Sequence, residues 1–167
     1  MLVGCTAVQV DSPDPAAIPS GSLVALDEEA TGPIVELGSS TTEGIGWRYA
    51  VYPAGDAWCT QLEMVNVVSS VCGDLLPPEN AAIGPVSVTD VEPGERQVID
   101  GVASEETFTV WLIENDSQRR FAAIPMPLDA AGLDGIAFVG IAPEQMTVTH
   151  VQAMARSGEV LETYELP

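Results

Sequence analysis

From about Pro33 onward the chain alternates short apolar runs with clusters of Gly, Pro, Asn and Asp. The runs are Ile34 to Leu37, Trp47 to Tyr52, Cys59 to Val68, Val86 to Val91, Val98 to Val102, Thr107 to Ile113, Arg120 to Ile124, Ile136 to Ile141, Thr147 to Met154 and Val160 to Tyr164. Several have period two. In Thr107 to Leu112, Phe108, Val110 and Leu112 share one face, while Thr107, Thr109 and Trp111 share the other. No segment carries a sustained apolar stripe at helical spacing. The best helical candidate, Glu144 to Met154, has a Thr-Val-Thr-His-Val centre that favours a strand. About nine or ten strands with frequent turn signals predict an all-β fold, an antiparallel β-sandwich or a partly closed barrel.

Turn chemistry adds detail. Glu114-Asn115-Asp116-Ser117 and Ser157-Gly158 supply residues that tolerate positive φ, so they predict two hairpins. The first sets Thr107 to Ile113 beside Arg120 to Ile124, and the second sets Thr147 to Arg156 beside Val160 to Tyr164. Pro77-Pro78-Glu79-Asn80 and Pro125-Met126-Pro127 read as longer loops, because proline is excluded from central ladders. Residues 6 to 32 differ in kind: Asp11-Ser12-Pro13-Asp14-Pro15 and Pro19-Ser20-Gly21-Ser22 forbid regular ladders and have little to bury. This stretch is expected to be a disordered tether interrupted only by apolar Leu23-Val24-Ala25-Leu26. The expected organisation is therefore residues 1–32 as a terminal segment and tether, and 33–167 as one β domain. Removal of residues 6–30 should then leave stability nearly unchanged.

Charge narrows the function classes. The formal net charge is −20, there is no lysine, and the cations are Arg48, Arg96, Arg119, Arg120 and Arg156. A phosphate-tracking basic stripe cannot be assembled from these, so nucleic-acid binding is not expected. Self-repulsion of this size favours a soluble monomer. Adaptation to high salt, or recognition of a cationic partner or calcium, are the other readings of the acidity. Glu114-Asn115-Asp116, Asp129 and Asp134-Gly135 do not fit the spacing of a calcium loop and read as turns.

The first residues carry a specific signal. Leu2-Val3-Gly4-Cys5 resembles the lipobox at which bacterial lipoprotein precursors are acylated and cut. The resemblance implies lipid on Cys5, an extracytoplasmic location and membrane attachment through acyl chains, which in pairs suffice for stable anchoring. It also implies a reading frame extending upstream of Met1, because a signal peptide needs a charged and then an apolar region before its cleavage site. With Cys5 so assigned, the odd count of three cysteines leaves Cys59 and Cys72 as a pair. A disulfide between them would stabilise by about 3 kcal/mol and requires an oxidising compartment; two buried reduced thiols are the alternative. Zinc is not expected, since His150 is the sole histidine and the cysteine spacing is too long.

A second set of elements is spread over residues 46 to 162: Trp47-Arg48-Tyr49, Trp58-Cys59-Thr60-Gln61-Leu62, Cys72-Gly73, Ile99-Asp100-Gly101-Val102, Phe138-Val139 and Ser157-Gly158-Glu159-Val160-Leu161. Together they resemble secreted and membrane-tethered ectodomains of actinobacterial type. Those have a Cys-bearing strand, a Cys-Gly turn, a strand ending at Gly-Val and a late hairpin. The resemblance implies a small β domain of unassigned activity and carries over no catalytic residue. This chain has Arg156-Ser157 where the pattern has Asp before the last hairpin glycine.

Catalytic constellations are hard to assemble. No G-x-S-x-G turn occurs, and His150 lies in a strand with Thr149 and Val151 beside it, the setting of a structural or surface residue. A P-loop or Schiff-base lysine cannot exist here. Glycoside hydrolysis asks only for two facing carboxylates, which 25 acidic residues satisfy without specificity. Of the three tryptophans, Trp47 is expected in the core, leaving Trp58 and Trp111 as candidate ligand contacts. The reading is a non-catalytic, lipid-anchored extracytoplasmic β domain, without cofactor or metal, that binds an envelope protein or a small ligand. A secreted carbohydrate-active hydrolase and an accessory subunit of an envelope assembly are the alternatives.

Overall fold

The alternation from Ile45 to Ala54 puts Ile45, Trp47, Tyr49 and Val51 on one side of a strand and Gly46, Arg48, Ala50 and Tyr52 on the other, and both sets are buried. Such a strand needs a cover on each face. The computed structural model describes residues 14–25, 30–91, 96–115 and 119–167. In chain order its strands are β1 (Val35–Thr42), β2 (Ile45–Ala54), β3 (Ala57–Met64), β4 (Val67–Gly73), β5 (Ile83–Val91) and β6 (Arg96–Ala103). There follow β7 (Thr109–Ile113), β8 (Arg120–Ala122), β9 (Ile124–Pro127), a 3-10 turn at Asp129–Ala131, β10 (Ile136–Ile141), β11 (His150–Met154) and β12 (Val160–Glu165).

These strands form three antiparallel four-stranded sheets, in the orders β1-β2-β3-β4, β5-β6-β10-β9 and β12-β11-β7-β8. The fold is all-β and sandwich-like, and its sheets do not close into a barrel. One apolar cluster joins Trp47, Val51, Leu62 and Met64 of the first sheet to Val98, Val102, Met126 and Val139 of the second. Another joins Ile99, Ala103 and Phe138, on the opposite face of the second sheet, to Val110, Leu112, Val151 and Ala153 of the third. The second sheet is thus the middle layer. Its central strands, β6 and β10, are buried on both faces, whereas the edge strands β5 and β9 mix buried, half-buried and exposed positions.

The outer face of the first sheet is covered by the N-terminal segment. Gly46 N–H donates to Pro15 O at 2.8 Å, Thr41 Oγ1 donates to Ala16 O at 2.8 Å, and Thr31 N–H donates to Pro53 O at 2.9 Å. Buried Arg48 bridges Glu63 and donates from Nη1 to Gly21 O at 2.8 Å, while Gln61 Nε2 donates to Val24 O at 2.9 Å. A Cβ on Gly46 would lie 2.1 Å from Ala17 O, so only glycine admits this approach. Ala25, Ala30 and Ile34 close over Tyr52, Ala54 and Cys59. Residues 14–25 and 30–32, expected as a loose tether, are therefore docked. Their carbonyls satisfy polar side chains that β2 and β3 would otherwise bury without partners.

Several strand boundaries are corrected. The run Cys59 to Val68 divides into β3 and β4 at Val65-Asn66, and His150 rather than Thr147 opens β11. Pro125-Met126-Pro127 belongs to β9, not to a loop, because β9 is an edge strand where the missing N–H leaves no ladder bond unmade. The run Arg120 to Ile124 changes sheets at Ala123, whose N–H donates to Val110 O at 2.9 Å. Phe108 lies ahead of β7 and is 54% exposed, whereas Val110 and Leu112 are buried. Both predicted hairpins are present, with Ile113 opposite Arg120 and Met154 opposite Val160.

Deleting residues 1–30 should destabilise the protein by more than about 2 kcal/mol, since Tyr52 and its neighbours lose an apolar cover and Arg48 and Gln61 lose acceptors. Chemical denaturation of full and trimmed chains measures this; equal midpoints would show that the docked segment contributes nothing.

Candidate functional site

Trp58 stands near the start of β3, two residues after the β2–β3 turn at Gly55-Asp56, and pairs across the ladder with Gly73 at the end of β4. Gly73 has φ +148°, a region side-chain-bearing residues rarely adopt, and from it the chain turns into Asp74-Leu75-Leu76-Pro77-Pro78. This returning loop, the Asp56 turn and Leu133 enclose an open cleft of about 640 Å³. Its apolar walls are Trp58, Leu75, Leu76, Pro78 and Leu133, and its carboxylates are Asp56 and Asp74. The size is that of small-molecule sites, and the lining combines an apolar body with a few polar groups. Trp58 is half-buried and packs against the core between the first two sheets. Leu75 is buried and fixes the loop, whereas Leu76, Asp56 and Asp74 are exposed.

The disulfide Cys59–Cys72 sits one residue inward of the Trp58–Gly73 pair, on the other face of the hairpin. Its Cα atoms are 4.0 Å apart, as directly opposed residues allow, and it closes a separation of 13 residues. It pins the two strand ends from which both walls of the cleft spring.

The other candidate, Trp111, faces outward from the third sheet, opposite Gln152 and Ala122, with the Arg120 guanidinium 4.6 Å from its ring centre. Arg156 lies similarly over Phe108 at 4.8 Å. Trp58 and Trp111 are on different sheets and are not brought together. Trp47 is core, as expected, at 1% exposure. His150 Nδ1 lies 2.8 Å from Thr149 Oγ1, an atom also held near Ile113 O and Asn115 N–H, in keeping with a structural residue. Cys5 and the lipobox lie outside the described residues. Among the described residues, no group of three or more His, Cys, Asp or Glu is arranged to hold a metal ion, and no helix is long and apolar enough to cross a membrane.

One group outside the cleft was not singled out by the sequence reading. Asp100, on β6, points between the first two sheets and is 3% exposed. It accepts a hydrogen bond from Tyr49 Oη at 3.2 Å, and its Oδ1 has no partner among the described residues. Burial pushes its carboxyl up to about 7, against smaller lowering effects of Tyr49 and Ser87. Burial first, and then the Asp100 charge, raises Tyr49 well above the ordinary phenol value. The signal in the sequence was a lone carboxylate within Val98-Ile99-Asp100-Gly101-Val102.

Comparison with protein-family models, curated proteins and solved structures finds no match to this chain.

Two predictions follow from these geometries. Since the folded value of Asp100, about 7, lies above its ordinary 3.8, the protonated carboxyl favours the folded state. That contribution is complete below the ordinary value and is lost as pH rises through about 7. Denaturant melts across this window should show stability falling with rising pH by up to a few kcal/mol, and Asp100→Asn should flatten the slope; an unchanged slope in the variant overturns the assignment. Separately, Cys59→Ala with Cys72→Ala should lower stability by about 2–4 kcal/mol and shift the Trp58 indole resonance, which an intact cleft would leave in place.

Proposed function

We propose that this chain is a non-catalytic, extracytoplasmic β domain, anchored by lipid at Cys5, that binds a small ligand in the cleft beside Trp58. The observation that carries the binding part is the cleft itself, where an aromatic wall, three leucines and a proline meet two carboxylates. The Cys59–Cys72 disulfide supports an oxidising compartment. Leu2-Val3-Gly4-Cys5 supports the anchor, and the resemblance to actinobacterial-type tethered ectodomains agrees with both.

The hydrolase reading would assign acid and base to Asp56 and Asp74. A glycosidase acid is kept protonated by an apolar, desolvated setting, and both of these carboxylates are open to water. Binding is therefore preferred over catalysis.

Two measurements test the proposal. Mass spectrometry of the protein expressed from its genomic reading frame should find Cys5 carrying diacylglycerol in the membrane fraction; unmodified Cys5 in a membrane-free fraction removes the anchor. An NMR screen of small molecules should shift the amides of Asp56, Trp58 and Gly73 to Leu76. Shifts confined to Trp111 and Gln152 would move the site to the third sheet, and cleavage of oligosaccharides would replace binding by hydrolysis.

A further inference from the structure

Each arginine of the chain is engaged elsewhere than at the two carboxylates of the cleft. The chain has five arginines, no lysine and one histidine. Arg48 is bonded to Glu63, Arg96 to Glu144 and Arg119 to Glu114, while Arg120 and Arg156 lie over Trp111 and Phe108. His150 is on the third sheet, held by Thr149. Asp56 and Asp74 thus flank an apolar cleft with no cationic side chain beside them among the described residues, in a protein of net charge −20. Low-dielectric walls concentrate such a field, so the cleft favours positive ligands over neutral ones of the same shape.

The lining narrows the class of cation. Trp58 offers the ring type that attracts cations most strongly, and Leu75, Leu76, Pro78 and Leu133 offer no hydrogen-bond acceptor in their side chains. A primary ammonium brings three N–H donors, for which the lining side chains offer acceptors only at Asp56 and Asp74, while the apolar walls offer none. A quaternary ammonium has no such donor, loses its hydration more readily, and presents methyl groups to the leucines. The volume of about 640 Å³ leaves room for a further apolar substituent.

We propose that the Trp58 cleft takes a small quaternary ammonium cation bearing an apolar group, with Trp58 facing the charged methyl groups and Asp56 and Asp74 supplying the countercharge. This deepens the ligand-binding reading of the cleft and rests on it.

The test is titration of the ¹⁵N-labelled full chain at low ionic strength with benzyltrimethylammonium, benzyl alcohol and benzoate, following the amides of Trp58, Gly73, Asp74 and Leu75. The cation should bind about tenfold more tightly than the alcohol, and benzoate should not bind. Added salt should weaken only the cation. Asp56→Asn with Asp74→Asn should remove most of that preference, weakening the cation far more than the alcohol. These side chains are exposed, so the variant should keep the dispersed spectrum of the folded protein. Trp58→Leu should weaken the cation more than the alcohol. Equal affinity for cation and alcohol, or a preference that survives the double amide variant, overturns the proposal while leaving the cleft a ligand site of another class. If none of the three compounds moves the cleft amides, the proposal and the ligand-binding reading fall together.

Discussion

Burial of β6 and β10 on both faces is the constraint from which the remaining architecture follows. A strand carrying Val98 and Val102 on one face and Ile99 and Ala103 on the other has no side to give to water, so its sheet must lie between two others. The first sheet supplies Trp47, Leu62 and Met64 to one face, and the third supplies Leu112, Val151 and Ala153 to the other. Having one face spent on the middle layer, the first sheet still carries Tyr52 and Cys59 on its outer side, and the N-terminal segment covers them. The layers are thus successive answers to one problem of exposed apolar surface.

Against that background Asp100 is an inconsistency placed at the centre. A carboxyl between two apolar sheets is tolerated because it can hold a proton and because Tyr49 donates to it. An apolar side chain there would avoid the desolvation cost but leave the Tyr49 hydroxyl without this acceptor. Asp100 belongs to the interior, while the cleft lies at the hairpin end, where Cys59–Cys72 and Gly73 fix the exit of the chain.

What the residues revealed follows from where their partners lie. The middle strands were legible because an unbroken run such as Ile136 to Ile141 has few alternatives to a buried strand, and the hairpins because Ser157-Gly158 has a local conformational signature. The docking of residues 14–25 was not legible from that segment, since it offers backbone carbonyls, Ala16 O, Gly21 O and Val24 O, and every residue has one. The trace lay on the other partner: Arg48 and Gln61 are polar residues inside otherwise apolar strands. Trp58 stood out as one of few aromatics, but Asp74 to Pro78 read as an ordinary loop, because its role depends on a turn at Gly73 that brings Leu75 beside a strand distant in sequence. The change of sheet at Ala123 left no mark, lacking any glycine or bulge signal.

The order of contacts along the docked segment has a mechanical consequence. Pro15 meets Gly46, Gly21 meets Arg48 and Thr31 meets Pro53, so the segment advances along β2 in the same direction as the strand itself. A pull on the N-terminus would load these attachments one after another, Pro15 first, instead of all together. Peeling of this kind yields in steps, with the Arg48 clamp as a charged stop beyond the contacts of Pro15 and Ala16. The segment can come away as far as Thr31 without parting any strand from its neighbour, which makes the covering strip an extensible fuse between the terminus and the folded body.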